Sequence, residues 1–228
     1  MRIKALGALL MGIFLAGALA AQPVAAPPAP EPENTLLLDL SSGGRVTIQL
    51  RPDMAPAHVE RIKTLTRRGF YDGLTFHRVI EGFMAQGGDP KGDGSGGSDL
   101  PDLKAEFNAL PHVRGALAAA RAQEDDSANS QFYIMFVPRL SMDRKYTVFG
   151  RVIAGMNHVD AIERGEPPME PTRILKASIA ADNVPPPATA AAAPAGPAQA
   201  PADPAAAEPA QAPAAHVLPP SQDPNRPQ

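Results

Sequence analysis

The sequence predicts a mainly β domain, built as a closed antiparallel barrel or a sandwich, with two helices and a Pro/Ala-rich segment on either side. Three observations carry this. Eight short runs rich in β-branched and aromatic residues follow one another, separated by Gly, Pro and Asp. Only two stretches show helical spacing. The ends change composition abruptly. Eight short strands with two helices suit a closed barrel, which leaves no sheet edge exposed and whose two ends the helices could cover. The pattern by itself leaves a sandwich open as well.

Thr35-Leu36-Leu37-Leu38-Asp39-Leu40 and Arg45-Val46-Thr47-Ile48-Gln49-Leu50 flank Ser41-Ser42-Gly43-Gly44, a hairpin with glycines where positive φ is needed. Arg51-Pro52-Asp53 ends the second strand. From Pro56 to Arg68 the pattern turns helical, with Val59, Ile62 and Leu65 three apart, proline early, basic residues in the last turn and Gly69 placed for a left-handed cap. The remaining expected strands are Leu74–Ile80, Phe83–Gln86, Gly115–Ala120, Gln131–Phe136, Thr147–Ile153 and Thr172–Ile179, with a second helix over Met156–Arg164.

Residues 1–21 place Arg2 and Lys4 before an apolar run and end in Ala18-Leu19-Ala20-Ala21. A charged start, a short apolar stretch and small residues at the end form the pattern of a secretory signal peptide. The run from Ala5 to Leu19 is about fifteen residues, short of the ~20 that cross a bilayer as a helix. Cleavage near Ala20 or Ala21 is therefore expected, giving an exported chain, periplasmic in a Gram-negative cell, with no membrane attachment afterwards. Residues 22–33 read as a Pro/Ala linker. Residues 184–228 read as an Ala/Pro-rich tail whose thirteen prolines deny it helix and sheet ladders, so disorder is expected there. One domain remains, residues 34–183, a normal length for a single core.

Composition excludes several classes. Of 21 Lys and Arg and 24 Asp and Glu, three and five lie outside residues 34–183, so the domain is near neutral and nothing favours nucleic acid. With no cysteine in 228 residues there is no thiol nucleophile, disulfide framework or lipidated cysteine. His58, His77, His112, His158 and His216 make no pair at metal-ligand spacing. Asp89 to Leu100 has Asp89, Asp93 and Gly94 in a calcium-loop-like order, but Lys91 and Leu100 stand where carboxylates are wanted. No serine elbow and no phosphate loop is present. No cofactor or metal is expected, and a monomer is.

The stretch that offers chemistry runs from Phe76 to Pro90: Phe-His-Arg-Val-Ile-Glu-Gly-Phe-Met-Ala-Gln-Gly-Gly-Asp-Pro. Arg78 is a permanent cation inside an apolar run. Alone it would read as a surface arginine on a half-exposed strand, but within eleven residues it keeps company with an amide, a thioether and two phenyl rings. If both halves are extended, Met84 and Gln86 share a face. Gly87 to Gly97 reads as a long loop beside a groove.

This stretch resembles the signature of the cyclophilins, the β-barrel peptidyl-prolyl cis-trans isomerases. Ser130-Gln131-Phe132-Tyr133-Ile134 resembles the family's second signature and Tyr146-Thr147-Val148-Phe149-Gly150-Arg151-Val152 its third, so the likeness extends from about Leu36 to Ile179. The resemblance implies a closed eight-stranded antiparallel barrel capped by two helices, and an isomerase that accelerates rotation of X-Pro bonds in exported, folding chains. The alternative is a non-catalytic chaperone or adaptor that grips proline segments. The resemblance puts Arg78 at the catalytic arginine, with Phe83 and Gln86 beside it as catalytic residues. It puts Met84, Ala120, Arg121, Tyr133, Met142 and Tyr146 around the bound peptide. Phe83 and Met84 match the apolar floor, and Gln86 the amide that bonds the substrate backbone and steadies the arginine. Tyr133 stands where the family usually has phenylalanine, Met142 where it often has leucine, and Tyr146 where many members have histidine. His77 is expected to pack in the core. The family's frequent tryptophan falls near Leu140-Ser141, and weak binding of its inhibitor cyclosporin is expected.

Overall fold

The computed structural model describes residues 30–187. The segments read as signal peptide, most of the N-terminal linker and most of the tail lie outside these residues. Eight strands, β1 (Thr35–Leu40), β2 (Arg45–Leu50), β3 (Arg78–Ile80), β4 (Met84–Gly87), β5 (Ala116–Ala119), β6 (Phe132–Met135), β7 (Val148–Ala154) and β8 (Ile174–Ile179), form one sheet. Every neighbouring pair is antiparallel, in the order β3-β4-β6-β5-β7-β2-β1-β8. Two helices, α1 (Pro56–Arg67) and α2 (Met156–Asp160), pack against β8 and β2 respectively.

The local rules account for most of this. The β1–β2 turn closes through Gly43 N–H to Leu40 O and Leu40 N–H to Gly44 O, both at 3.1 Å, with Gly43 and Gly44 at φ +97° and +86°. Those angles exclude most side chains, which is why two glycines stand there. Alternation then sends Leu36, Leu38, Leu40, Val46, Ile48 and Leu50 inward, all nearly fully buried. Helix α1 buries Val59, Ile62 and Leu65 on the same core and stops at Arg68, with Gly69 at φ +70°. Tyr71, Phe76 and Phe132 fill the middle with edge-to-face contacts at 5.7 and 6.2 Å.

The sheet curls strongly. Register shifts at Asp39/Leu40, Thr47/Ile48 and Leu117/Ala118 add local twist. Its outermost strands β3 and β8 are not joined by a ladder. Instead a single bridge pairs Thr75 with Arg173, and Phe76 N–H and Ile174 N–H donate to Thr172 O and Leu74 O at 2.9 and 2.8 Å. Of the expected strand from Leu74 to Ile80, only Arg78–Ile80 enters a ladder, because the preceding residues face the end of β8 rather than a strand running alongside. The expected second helix ends at Asp160, four residues early, and Gly165 pairs with Val79 across the edge of β3.

Candidate active site

The sheet has two apolar faces. The inner one is the core. The outer one carries a separate cluster in which Met84, Ala116, Ala118, Tyr133, Met135 and Val148 are buried and Phe83, Ala120, Met142 and Tyr146 pack against them. The ladder explains the grouping. Arg78 is opposite Gln86, Gln86 opposite Tyr133, and Tyr133 opposite Ala118, so these four lie in one row across β3, β4, β6 and β5. Residues directly opposed in a sheet point to the same face, so a guanidinium, an amide and a phenol line up side by side. Met84 opposes Ile80 and Met135 in a parallel row. All six apolar or aromatic positions expected around the peptide or at its floor (Phe83, Met84, Ala120, Tyr133, Met142, Tyr146) therefore gather on one patch, reached by Arg78 and Gln86 from its β3–β4 side.

The Arg78 side chain is about two-fifths exposed, and its Nε–H donates to Glu166 Oε2 at 2.8 Å. The loop that brings Glu166 there is anchored next to Arg78: Val79 N–H donates to Gly165 O at 2.8 Å and Gly165 N–H to Val79 O at 2.9 Å. The four N–H bonds on the two terminal nitrogens of Arg78 have no partner among the described residues. Arg78 and Gln86 are not hydrogen-bonded to each other there. Gln86 instead donates to Gln131 Oε1 at 2.9 Å, and Gln131 donates to the carbonyls of Gly94 and Gly96 at 2.9 and 2.8 Å. The amide is thus tied to the glycine-rich loop.

That loop walls a polar groove of about 440 Å³ continuous with the row, lined among others by Gln86, Ser98, Asp102, Ala120, Arg121 and Asn129. Asp89 holds the loop's shape by accepting N–H bonds from Lys91, Asp93 and Gly94 at 2.8, 3.1 and 2.6 Å. Burial pushes its carboxyl up, but the backbone donors Lys91 and Gly94 outweigh that and hold it below the usual range. Its oxygens serve the loop itself, and no cluster of three or more metal-ligating side chains occurs among the described residues. Arg121 is bound by its own neighbourhood: it donates to Ala122 O and Gln123 O at 3.0 and 2.9 Å, pairs with Asp125 at 2.9 Å, and lies 4.8 Å above the Tyr146 ring. The acidic Gln123–Asp126 loop is folded onto this arginine. His77 is buried, as expected, and neither ring nitrogen has a partner among the described residues.

Three residues at the patch, His112, Asp143 and Glu166, escaped the sequence reading. His112 is fully buried, and its ring lies 6.2 Å from Tyr133 and 6.3 Å from Tyr146. Its Nε2 is 3.1 Å from the Tyr133 hydroxyl and its Nδ1 2.9 Å from Asp143 Oδ1. Burial pushes the Tyr133 phenol far above the ordinary tyrosine range, the neighbouring Tyr146 adding to it, so its hydroxyl keeps its proton. The backbone N–H of His112 holds the Asp143 carboxyl below the usual range despite some burial. Glu166 and Asp143 carry no local signal: each is an acidic loop residue far along the chain from its partner. Nothing in the site offers an activated nucleophile. What it offers is the Arg78 guanidinium and the Gln86 amide beside an apolar patch.

Comparison with known proteins agrees with this architecture. Residues 35–179 match the family model described as cyclophilin type peptidyl-prolyl cis-trans isomerase/CLD. A probable peptidyl-prolyl cis-trans isomerase of Brucella suis is 48% identical over 170 residues, covering 68% of this chain and 86% of the relative. Peptidyl-prolyl cis-trans isomerase B of Bacillus subtilis is 40% identical, covering 56% and 89%. Among solved structures, a cyclophilin from Hirschia baltica superposes with a TM-score of 0.63 at 28% identity, over 68% of this chain and 77% of that one. A Cryptosporidium parvum cyclophilin-type isomerase, crystallised in the presence of the dipeptide Ala-Pro, superposes with a TM-score of 0.60 at 25% identity, over 64% and 98%.

Proposed function

The chain belongs to the cyclophilin-type peptidyl-prolyl cis-trans isomerase family, and from that premise we propose that it rotates X-Pro bonds on the outer patch between Arg78 and Tyr146. The observation that carries the assignment of the site is the cross-strand row Arg78–Gln86–Tyr133, which sets a guanidinium beside an apolar cluster separate from the core.

The barrier to rotation, about 18–20 kcal/mol, comes from amide resonance. In the twisted state the imide nitrogen leaves conjugation and becomes pyramidal and basic. A guanidinium N–H held near that nitrogen interacts more strongly with the twisted form than with the planar one, and only such a difference accelerates the step. Arg78 suits this because its charge does not titrate away, and Glu166 takes Nε–H while the terminal nitrogens stay available. Phe83, Met84, Tyr133 and Met142 form the hollow for the proline ring, which disfavours the charge-separated planar amide. Gln86 and the backbone of Ala120 and Arg121 align the peptide, whose residues before the proline run into the polar groove. Lowering the barrier by about 8 kcal/mol would give roughly a million-fold acceleration. A single donor accounts for about 3–4 kcal/mol of that, leaving the remainder to the hollow and to orientation.

The substrates under this proposal are proline-containing unfolded or extended chains, met after export to the periplasm by a monomeric enzyme. The signal-peptide pattern of residues 1–21 supports the setting. The same reading takes the curled sheet as a closed barrel, supported by the Thr75–Arg173 bridge between its outer edges. A protease-coupled assay on a short Ala-Pro peptide tests the site: the wild type should be active and Arg78→Ala nearly inactive. Equal rates would end the assignment.

A further inference from the structure

His112 spends every hydrogen-bonding group it has on two walls of the patch. Its backbone N–H donates to Asp143 Oδ1 at 2.8 Å, and its carbonyl accepts from Arg139 N–H at 2.8 Å. Its ring reaches Asp143 Oδ1 through Nδ1 at 2.9 Å and the Tyr133 hydroxyl through Nε2 at 3.1 Å. Residues 139 and 143 bracket the 3-10 turn Leu140–Met142, which presents Met142 to the patch. Tyr133 sits on β6 at its floor. The chemistry of the chain of bonds fixes its direction. The Asp143 carboxylate can only accept, so Nδ1 carries the proton. Tyr133 keeps its own proton, so the bond it shares with His112 runs from its O–H to Nε2. The phenol proton is thereby committed to the buried side, and the ring plane is pinned, stacked on His112 at an interplanar angle of 19°.

We propose that His112 and Asp143 are positioning residues for proline binding: the Asp143–His112–Tyr133 chain locks the Tyr133 ring and the Met142 turn in the relative placement that makes the hollow. The proposal rests on the reading of the patch as the proline site. Asp143 enters through one oxygen only, since Oδ1 accepts both bonds from His112. An amide oxygen can do the same, which gives the proposal a sharp consequence.

The test measures kcat and KM separately for Ala-Pro peptide isomerisation, with folding checked by circular dichroism. His112→Phe leaves the Tyr133 hydroxyl buried without an acceptor. It should raise KM about tenfold with kcat within about twofold, as expected when a buried polar group is orphaned and the surface it pins shifts. Asp143→Ala should act the same way, while Asp143→Asn should stay within about threefold of the wild-type KM because the acceptor oxygen remains. The double variant His112→Phe/Tyr133→Phe should be no worse than His112→Phe alone. Asp143 lies at the surface side of the network, so Asp143→Ala decides the matter if His112→Phe fails to fold. Wild-type KM in both Asp143→Ala and His112→Phe, beside an inactive Arg78→Ala, overturns this proposal and leaves the active site standing. A fall in kcat that follows the unfolded fraction, with KM unmoved, overturns it too. Full activity of Arg78→Ala removes the proline site and the proposal together.

Discussion

Replacing Arg78 by lysine keeps the charge and removes the geometry, so it separates a guanidinium that positions donors from a cation that merely sits nearby. Arg78 gives Nε–H to Glu166 at 2.8 Å and holds four further N–H bonds on its terminal nitrogens. Lysine has one nitrogen, and Glu166 would draw it to the position now taken by Nε, leaving nothing to reach beyond it. Losing the donor costs about 3–4 kcal/mol of transition-state stabilisation, which is roughly two to three orders of magnitude in kcat/KM. Arg78→Lys should therefore fall within about fivefold of Arg78→Ala, far below the wild type. The fold should not notice either change. Arg78 and Glu166 are 43% and 50% exposed, and an ion pair that open to water is worth about 0–1 kcal/mol. The assay is protease-coupled isomerisation of an Ala-Pro peptide, with urea midpoints of the three proteins in parallel. Retention of more than about a third of wild-type kcat/KM by Arg78→Lys would show that charge alone suffices, and the differential-donor reasoning would fall.

Three further outcomes are expected. Gly155 caps α2 at φ +79°, and a Cβ there would stand 2.2 Å from the carbonyl oxygen of Arg45, a backbone atom that cannot step aside. Gly155→Ala should lower stability by about 2–4 kcal/mol, combining left-handed strain with overpacking. A loss in urea unfolding under about 1 kcal/mol would contradict the clash, given the left-handed strain alone. Stability should also fall on mild acidification. Burial holds His58 below its ordinary value against the pull of Glu106, and burial does the same for His77. Both bind protons more readily unfolded, so stability is fully present above the unfolded value of 6.5 and declines as pH drops below it. A second decline follows below 4.5, the unfolded value of Glu106, whose carboxyl is held low by His58 and by backbone N–H groups that outweigh its burial. A urea midpoint that rises between neutral pH and pH ~5.5, about one unit below the ordinary histidine value, would reverse the sign. Finally, cyclosporin should bind weakly, because exposed Leu140 and Ser141 stand where the family often has tryptophan. A titration showing tight binding would refute that.

How much of the site could be read from the chain depends on how local each relationship is. Arg78 and Gln86 belong to one short hairpin, Arg78–Ile80 with Met84–Gly87, so alternation at period two and the glycine between the strands already put them on one face. Tyr133 and Tyr146 came from motifs of a few residues each. Strand ends were less legible: Leu74–Phe76 has the composition of a strand, but whether it joins a ladder depends on what lies alongside, and the end of β8 offers only isolated bonds.

The sequence by itself determined the run of short strands, the hairpin glycines and the face of α1. These follow from side-chain period and backbone preference, which act over a few residues. Only the tertiary structure decided that Glu166, 88 residues from Arg78, holds its guanidinium, that Asp143 meets His112 across 31 residues, and that His112 meets Tyr133 across 21. It also decided that the sheet has a second apolar face, outside the core. Such partners meet only when strands far apart in the chain come into register and the sheet curls, and no local pattern encodes where that curl brings two loops together.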